Sequence, residues 1–565
     1  MENWDETVDV LVVGTGAGAM TAALSSYDQG GKVLLIEKGE QYGGSSAMSG
    51  GGLWVPCNHL ALEAGIDDTM EEAWEYMQNC VGNDVPEDRQ RAYIEIAPKM
   101  VKYLTEHTHV DFIPLPEYPD YYPHIKGNKP GGRALDPKNF DARKLEDQFL
   151  KMRKTPDQEL IMGRISMTIP EARVCLSHTP GWILTIMKLF GRYWMDIFWR
   201  FKSKRDRTLA MGNALVGMLR RSLMDRGIPL WLKTPARKLI VEDGRVVGVE
   251  AEKEGKTIRI RATKGVVLAA GGFEANQAMR EKYLPKPTKA EWSSANPWNT
   301  GDIINMGLDI GAAVDIMDDA WWGPAVCIPG EEQARFFVIE LSLPGSLLVN
   351  KAGKRYVNEA APYCDKVNAM YAQNCPEAET VPSYLVFDAD FRKTYPVGPL
   401  LPGAQQPDWS APKNVMSIIE KADTLDELAQ KLGVDANGLK ESVERFNEFA
   451  RSGKDLDFQR GDTVFDQYYG DLHVQPNPNL APVDTPPYYG IRTYPGELGT
   501  KGGLLADAKA RVLKESGEVI EGLYAIGNCS SPVMGRTYPG AGSTLGPATA
   551  FGFIAAHDIM GKAIE

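Results

Sequence analysis

Cysteine is scarce and scattered, with 7 in 565 residues: Cys57, Cys80, Cys175, Cys327, Cys364, Cys375 and Cys529. No two form a CxxC pair, so neither a zinc cluster nor a disulfide framework is signalled, and a reducing compartment fits. Histidine is equally sparse, with 7 residues that include His178 and one close pair, His107 and His109. No HxxxH spacing accompanies that pair, which reads as solvated side chains, and no metal is expected. Positive charge is in deficit: Lys+Arg 62 against Asp+Glu 75 leaves a net charge of −13. No overall basic field is there to gather nucleic acid. No apolar run reaches the roughly twenty residues of a membrane-spanning helix. The start, Met1-Glu-Asn-Trp-Asp-Glu-Thr7, is acidic and unlike a secretory leader, so a cytoplasmic protein is the expectation. A GxSxG elbow for hydrolysis is missing as well. What remains is an ordinary globular composition, 43% hydrophobic and 24% charged.

The strongest positive signal is the apolar run Val10–Val13 followed at once by Gly14-Thr-Gly-Ala-Gly-Ala19. Such a run suits a buried parallel strand. Gly14 permits a tight turn, Gly16 lets the backbone approach a pyrophosphate, and Ala19 allows close packing of helix on strand. The helix that starts here, with Ala17 and Gly18 in its first turn, points free N–H groups and a positive dipole end at phosphates. A second apolar strand, Val33–Ile36, ends in Glu37. That carboxylate stands close to the roughly 20-residue spacing of a group that holds ribose hydroxyls.

FAD, rather than a nicotinamide cofactor, follows from what comes next. Lys38 opens a glycine- and serine-rich stretch containing Gly44, Ser45, Ser46, Ser49 and Gly50. It offers amides and hydroxyls at the close range a flavin diphosphate needs. Two distant apolar strands also end in glycine: Gly265–Gly272, with Ala270 and Gly271, and Gly522–Asn528, with Gly527. The expectation is an α/β fold, α+β in its second domain. A Rossmann-type FAD-binding domain is assembled from residues 1–321 and 498–565, and a substrate domain, 322–497, is inserted into it. Lys238–Ala251 reads as a hairpin turning at Asp243-Gly244. Helices are expected at Thr424–Lys431, opened by a Thr424/Glu427 capping box, and at Asp435–Ala450.

Tyrosine clusters are the unusual feature: Tyr118-Pro-Asp-Tyr-Tyr-Pro123, Arg355-Tyr-Val-Asn-Glu-Ala-Ala-Pro-Tyr363, and Gly535-Arg-Thr-Tyr-Pro-Gly-Ala-Gly542. With Gly496-Glu-Leu-Gly-Thr-Lys-Gly-Gly-Leu504 and Gly522-Leu-Tyr-Ala-Ile-Gly-Asn528, in this order, they resemble the 3-ketosteroid Δ1-dehydrogenase family. That family lies within the flavoprotein superfamily that also holds fumarate reductases. The resemblance implies a non-covalently bound FAD, with Thr544 and Leu545 among its contacts. It implies a 3-ketosteroid substrate, Tyr363 as base, Tyr121 as its helper, and Tyr538 with the Gly542 N–H as the oxyanion site. Three alternatives stay open: a Δ4-(5α)-dehydrogenase, a fumarate reductase-like enzyme, and a non-catalytic membrane flavoprotein. The dicarboxylate-binding groups of fumarate reductases are absent beside Asn358-Glu359 and Thr500-Lys-Gly-Gly503.

A last segment has no place in that scheme. Residues of about 174–206 carry Lys188, Arg192, Asp196 and Arg200 four apart, among Trp182, Phe190, Tyr193, Trp194, Phe198 and Trp199. They end in Lys202, Lys204 and Arg205, facing lipid headgroups in this reading. Compared with shorter family members the stretch resembles an insertion, and its pattern suits a helix lying in a bilayer surface or packed on a partner subunit. Peripheral contact with the inner face of the cell membrane, a long side-chain substrate such as cholest-4-en-3-one, and an electron acceptor of the quinone class are the matching expectations. The oligomeric state is left undetermined.

Overall fold

Parallel strands buried on both faces form the spine of the first of two compact units. In the computed structural model, which describes residues 4–176 and 181–564, the strand order is Arg511–Leu513, Val519–Ala525, Lys256–Leu268, Glu6–Val13, Val33–Ile36, Leu230–Trp231. Glu6–Val13 pairs in parallel with Lys256–Leu268 on one side and Val33–Ile36 on the other. Val10, Leu11 and Val12 are wholly buried, which is why this strand reads as an unbroken apolar run. The long strand Lys256–Leu268 also continues the hairpin Ala236–Glu242 and Arg245–Lys253, whose turn residues Asp243 and Gly244 have φ of 48° and 79°. Two left-handed residues in a two-residue loop match the twist of the strands they join.

The helices Ala17–Asp28 and Leu545–Met560 pack side by side. A Cβ on Gly18 would stand 2.5 Å from the Ala548 carbonyl oxygen, and one on Gly552 would stand 2.5 Å from that of Gly18. The contact joins early turns of both helices, so their N-termini lie next to each other.

The second unit holds a sheet ordered Arg335–Phe336, Ala320–Val326, Tyr488–Thr500, Ser383–Phe387, Ser346–Val349, with Ile419–Ala422 also on Tyr488–Thr500. The helices Leu425–Leu432 and Ala436–Ser452 cover a core of Leu428, Leu432, Leu439, Val443 and Phe446. The Thr424 hydroxyl accepts the Glu427 N–H, while the Glu427 carboxylate takes the Asp423 N–H, one residue before the group expected from a capping box.

The units divide as Met1–Asn276, Trp298–Asp319 and Thr500–Glu565 against Gln277–Pro297 and Ala320–Gly499. The stretch Gln277–Pro297, assigned by sequence to the nucleotide domain, therefore belongs to the second unit. Its Arg280 forms a fully buried, two-pronged ion pair with Glu497, at 2.9 and 3.1 Å. Among the described residues no helix is long and apolar enough to cross a membrane. His109 meets Asp225 at 2.6 Å and so is not merely solvated, and no group of three His, Cys, Asp or Glu among the described residues could hold a metal.

Candidate active site

Glycine geometry builds the nucleotide cradle in the first unit. Gly14 has φ of +113°, and a Cβ there would sit 2.3 Å from the Ala269 carbonyl oxygen. Gly16 ends the turn as N-cap of Ala17–Asp28 and provides no side-chain cap; the Ser46 hydroxyl accepts the Ala17 N–H at 3.0 Å. Ala19 is buried beneath that turn. Thr544, N-cap of the neighbouring helix, does not cap with its side chain either, and Leu545 begins the helix buried. Two adjacent helix starts, neither capped by its own N-cap side chain, turn their positive dipole ends and the remaining first-turn N–H groups toward a site for a diphosphate.

Around it, Glu37 accepts from the Thr15 hydroxyl at 2.5 Å and the Gly39 N–H at 2.9 Å, which fixes the carboxylate and leaves lone pairs for ribose. Gly44, Ser45 and Ser46 lie in the short helical turn Gly44–Met48, and Ser49 hydrogen-bonds back to the Ser46 carbonyl. Gly50 follows, with open space where a Cβ would go. Ala270 and Gly271 end the strand Lys256–Leu268. Gly271 has φ of +79°, and its Cβ would lie 2.6 Å from Asn299 Nδ2. Gly527 and Asn528 open the turn Gly527–Cys529, with Gly527 at φ of +63°. Lys38 stands next to Glu37. Its ammonium is committed to Thr300 and Asp302, both at 2.6 Å.

The same unit brings two of the tyrosine clusters together. The Tyr121 and Tyr538 rings stack at 5.3 Å and 12°. The Tyr118 hydroxyl stands 3.2 Å from that of Tyr121. One buried phenol joins the two loops: Tyr76 donates to the Pro539 carbonyl at 2.7 Å and accepts the Tyr122 N–H at 3.2 Å. The Pro539 carbonyl also accepts the Tyr121 N–H at 2.9 Å. Burial, then Asp120, pushes the Tyr76 phenol well above its ordinary pKa, so it stays a neutral hydrogen-bonding group.

Below these loops, Asp120 accepts from the Trp54 indole and from Arg133, both at 2.8 Å, and from the Lys129 N–H. Arg133 grips Asp68 through two further bonds. Lys501, fully buried, pairs with Asp319 at 2.9 Å and donates to the Arg536 carbonyl at 2.6 Å, two residues before Tyr538. Gly542, at φ of +99°, is needed for a reason the sequence concealed. A Cβ there would lie 2.4–2.6 Å from the backbone of Gly52, Leu53 and Trp54. Its N–H has no protein acceptor among the described residues.

Tyr363 belongs to the second unit, where it begins the helix Tyr363–Ala372 directly after Pro362. It is buried, edge-on to Phe336 at 5.3 Å and 79°. The preceding turn is locked by Glu359, fully buried between Arg355 and Arg460 at 2.8 and 3.1 Å. Lys366, one helical turn on, donates to the Glu359 carbonyl. Burial, then Arg460, draws its pKa down to about 8.

Sequence reading missed Tyr76, Asp120, Arg133, Glu274, Asn299 and Thr500. Glu274 takes a 2.6 Å bond from Asn299, which also donates to Ser45. Asp120 and Thr500 stand inside sequence motifs and Glu274 stands two residues beyond the Gly271-Gly272 pair, so these three could have been noticed; Tyr76, Arg133 and Asn299 have no such mark.

The insert is built of the helices Ile169–Leu176, Trp182–Met195 and Ile197–Arg200; residues 177–180, His178 among them, lie outside the described residues. Arg192, Asp196 and Arg200 turn inward, whereas Lys188, Lys202 and Lys204 are exposed. Arg192 donates to the Ser166 carbonyl, and Asp196 binds Arg200 and Arg207. Tyr193 is buried, whereas Ile183, Leu184, Met187, Trp194, Met195, Ile197 and Phe198 are exposed. Arg205, expected to face outward, turns in and donates to the Phe149 and Met152 carbonyls.

Comparison with known proteins agrees with these features. A family model described as an FAD binding domain matches residues 9–545. The 3-oxosteroid 1-dehydrogenase of Mycobacterium tuberculosis is 42% identical over 570 residues, 98% of each chain. The crystal structure of 3-ketosteroid Δ1-dehydrogenase from Sterolibacterium denitrificans, in complex with 1,4-androstadiene-3,17-dione, matches with a TM-score of 0.96. It is 49% identical, and the match covers 98% of this chain and 100% of that one. A flavocytochrome c3 fumarate reductase in an open conformation shares the fold at 22% identity and a TM-score of 0.64, covering 99% of this chain and 79% of that one.

Proposed function

This chain belongs to the 3-ketosteroid Δ1-dehydrogenase family of FAD-binding flavoproteins, and on that premise we propose that it introduces a C1–C2 double bond into 3-ketosteroids. The identities to Δ1-enzymes favour this over a Δ4-(5α)-dehydrogenase or a fumarate reductase. One observation carries the reading: the Tyr121–Tyr538 stack, held on the same welded loops as a Gly542 N–H that has no protein acceptor.

Desaturation beside a ketone takes a proton from C2 and a hydride from C1. FAD, when bound, supplies the acceptor for that hydride. The C2 proton becomes acidic only if charge on the C3 oxygen is stabilised, which the Tyr538 hydroxyl and Gly542 N–H would do by hydrogen bonding. Tyr363 takes the proton in this reading. A free phenol has a pKa of about 10, so a lone tyrosine is a poor base near neutrality. A second phenol that shares the proton would ease that cost, and the family resemblance gives that part to Tyr121, itself bonded to Tyr118.

Anaerobic titration with androst-4-ene-3,17-dione should bleach the flavin absorbance. Tyr363→Phe should keep its FAD and fail to bleach. Absence of bleaching in the FAD-loaded native enzyme would overturn the assignment, and bleaching at the native rate by the variant would overturn the base.

A second observation bears on substrate and location. Eight of the exposed large hydrophobic side chains lie between Ile183 and Phe201, with Phe198 and Phe201 each 84% exposed. This exposed apolar surface, with Lys188, Lys202 and Lys204 also exposed, suits docking on the inner membrane surface. Beside the substrate entrance it would favour ketosteroids with a long C17 chain, such as cholest-4-en-3-one, and a quinone as electron acceptor. Deleting residues 175–205 should preserve turnover of androst-4-ene-3,17-dione and abolish sedimentation with membranes. Undiminished sedimentation would refute the docking role.

A further inference from the structure

At the root of the insert a recess of about 50 Å³ is lined by Lys154, Thr155, Arg164, Ser166, Lys204 and Arg205. Its electrostatics run against the rest of a chain that carries a net charge of −13. Arg205 donates to four oxygens: the carbonyls of Phe149, Met152 and Arg153 and the side-chain amide of Asn213, at 2.8–3.3 Å. All four are neutral, and among the described residues no carboxylate pairs with this guanidinium. Arg164 and Lys204 have no ion-pair partner among the described residues either.

The nearby acids are already engaged. Asp206, in the lining, accepts the N–H groups of Ser166 and Thr208 and faces Arg200 at 4.0 Å. Asp157 is paired with Lys154. Three cations without a counter-charge, beside the Thr155 and Ser166 hydroxyls, form a receptor for an anion with several acceptor oxygens. A guanidinium held among neutral carbonyls gains most from such a partner, because its charge has not been offset within the protein.

The surroundings select the kind of anion. Met162, which precedes the lining residue Gly163, is 64% exposed, and Phe201, three residues before Lys204, is 84% exposed. Before Phe201 in the chain, Phe198, Ile197, Met195 and Trp194 are exposed as well. A polar anion hole bordered by apolar side chains complements a molecule with a phosphodiester head and hydrocarbon tails. We propose that this recess seats the phosphate of an anionic phospholipid, whose acyl chains run along the exposed face of the insert.

The inference rests on the reading of the insert as a membrane-docking element, and the test separates the two. The FAD-loaded enzyme is floated with phosphatidylcholine vesicles and with vesicles that also contain phosphatidylglycerol. The wild type should bind both, and the anionic vesicles more tightly. The double variant Arg164→Gln, Lys204→Gln leaves Arg205 and its four bonds intact. It should lose roughly ten- to thirtyfold in affinity for the anionic vesicles, the scale of two basic side chains at such a surface. Its binding to phosphatidylcholine, whose phosphate already has the choline cation as counter-charge, and its turnover of androst-4-ene-3,17-dione should be unchanged. If the wild type binds both vesicles equally, or the variant keeps the full anionic preference, the recess is not a headgroup site while the docking reading stands. If the wild type floats with neither, both are overturned.

Discussion

Replacing Tyr76 with Phe tests whether the two tyrosine loops of the first unit work as one rigid piece. The substitution removes a single oxygen that donates to Pro539 at 2.7 Å and accepts from Tyr122 at 3.2 Å. The ring, its tilted contact with Trp54 at 6.1 Å and its place under Arg133 at 5.5 Å remain possible for Phe. The Pro539 carbonyl keeps the Tyr121 N–H, so the change falls on one buried donor, the Tyr122 N–H, which loses its Tyr76 acceptor. That costs about 1–3 kcal/mol. The catalytic effect should be larger than this stability loss suggests, since displacement by about 1 Å can cost on the order of a hundredfold in rate. We expect kcat per bound FAD to fall roughly ten- to hundredfold, with KM close to native. Because burial keeps the Tyr76 phenol neutral, the shape of the pH–rate profile should not move. Steady-state kinetics across pH, with flavin content measured on the same sample, separate positioning from loss of fold or cofactor. A kcat per flavin within about twofold of native would refute the argument.

Two more substitutions probe the cradle and the insert. Gly271→Ala forces a Cβ to 2.6 Å from Asn299 at a φ of +79°, a strain of about 1–3 kcal/mol on the residue that holds both Glu274 and Ser45. The purified variant should carry less FAD than native, recoverable with excess cofactor; a full complement by absorbance would contradict this. Asp136, buried and bonded to the Ile169 N–H at the start of the first insert helix, has its pKa raised from 3.8 to about 7, by burial first and then by Glu171. A raised carboxyl stabilises the fold fully below its unfolded pKa, and this stability is lost as pH climbs through the folded pKa. Asp136→Asn should therefore gain in Tm relative to native as pH rises from about 4 to 8, and parallel Tm curves for the two proteins would argue against it.

What could be read from sequence was local. The Gly14–Ala19 turn, the Asp243-Gly244 hairpin and the Thr424 cap each depend on backbone angles or hydrogen bonds within a few residues, and spacing reports them directly. The assignment of Gln277–Pro297 failed because an ion pair from Arg280 to Glu497 spans 217 positions and has no local mark. Tyr76 escaped notice for the same reason: its partner Pro539 is 463 residues away. The insert was legible as a pattern yet misread in orientation at Arg205, since a cluster of basic residues at the end of a segment does not mark which of them turns inward to backbone carbonyls.

Gly542 shows that the fold itself can demand a glycine at a candidate site. A Cβ there would point at the backbone of Gly52, Leu53 and Trp54. Any larger residue would push that strand before a ligand was involved, so loss of activity in Gly542→Ala would say nothing about an oxyanion site. The functional claim for Gly542 lies in its N–H, which a side-chain substitution cannot delete. Its partner in that role can be varied cleanly: Tyr538→Phe keeps the stack on Tyr121 while removing the hydroxyl. If the two donors act together on the C3 oxygen, that change should lower kcat by roughly 10²–10³, the scale of one oxyanion donor, and leave FAD in place. A loss of less than about tenfold would place the developing charge elsewhere.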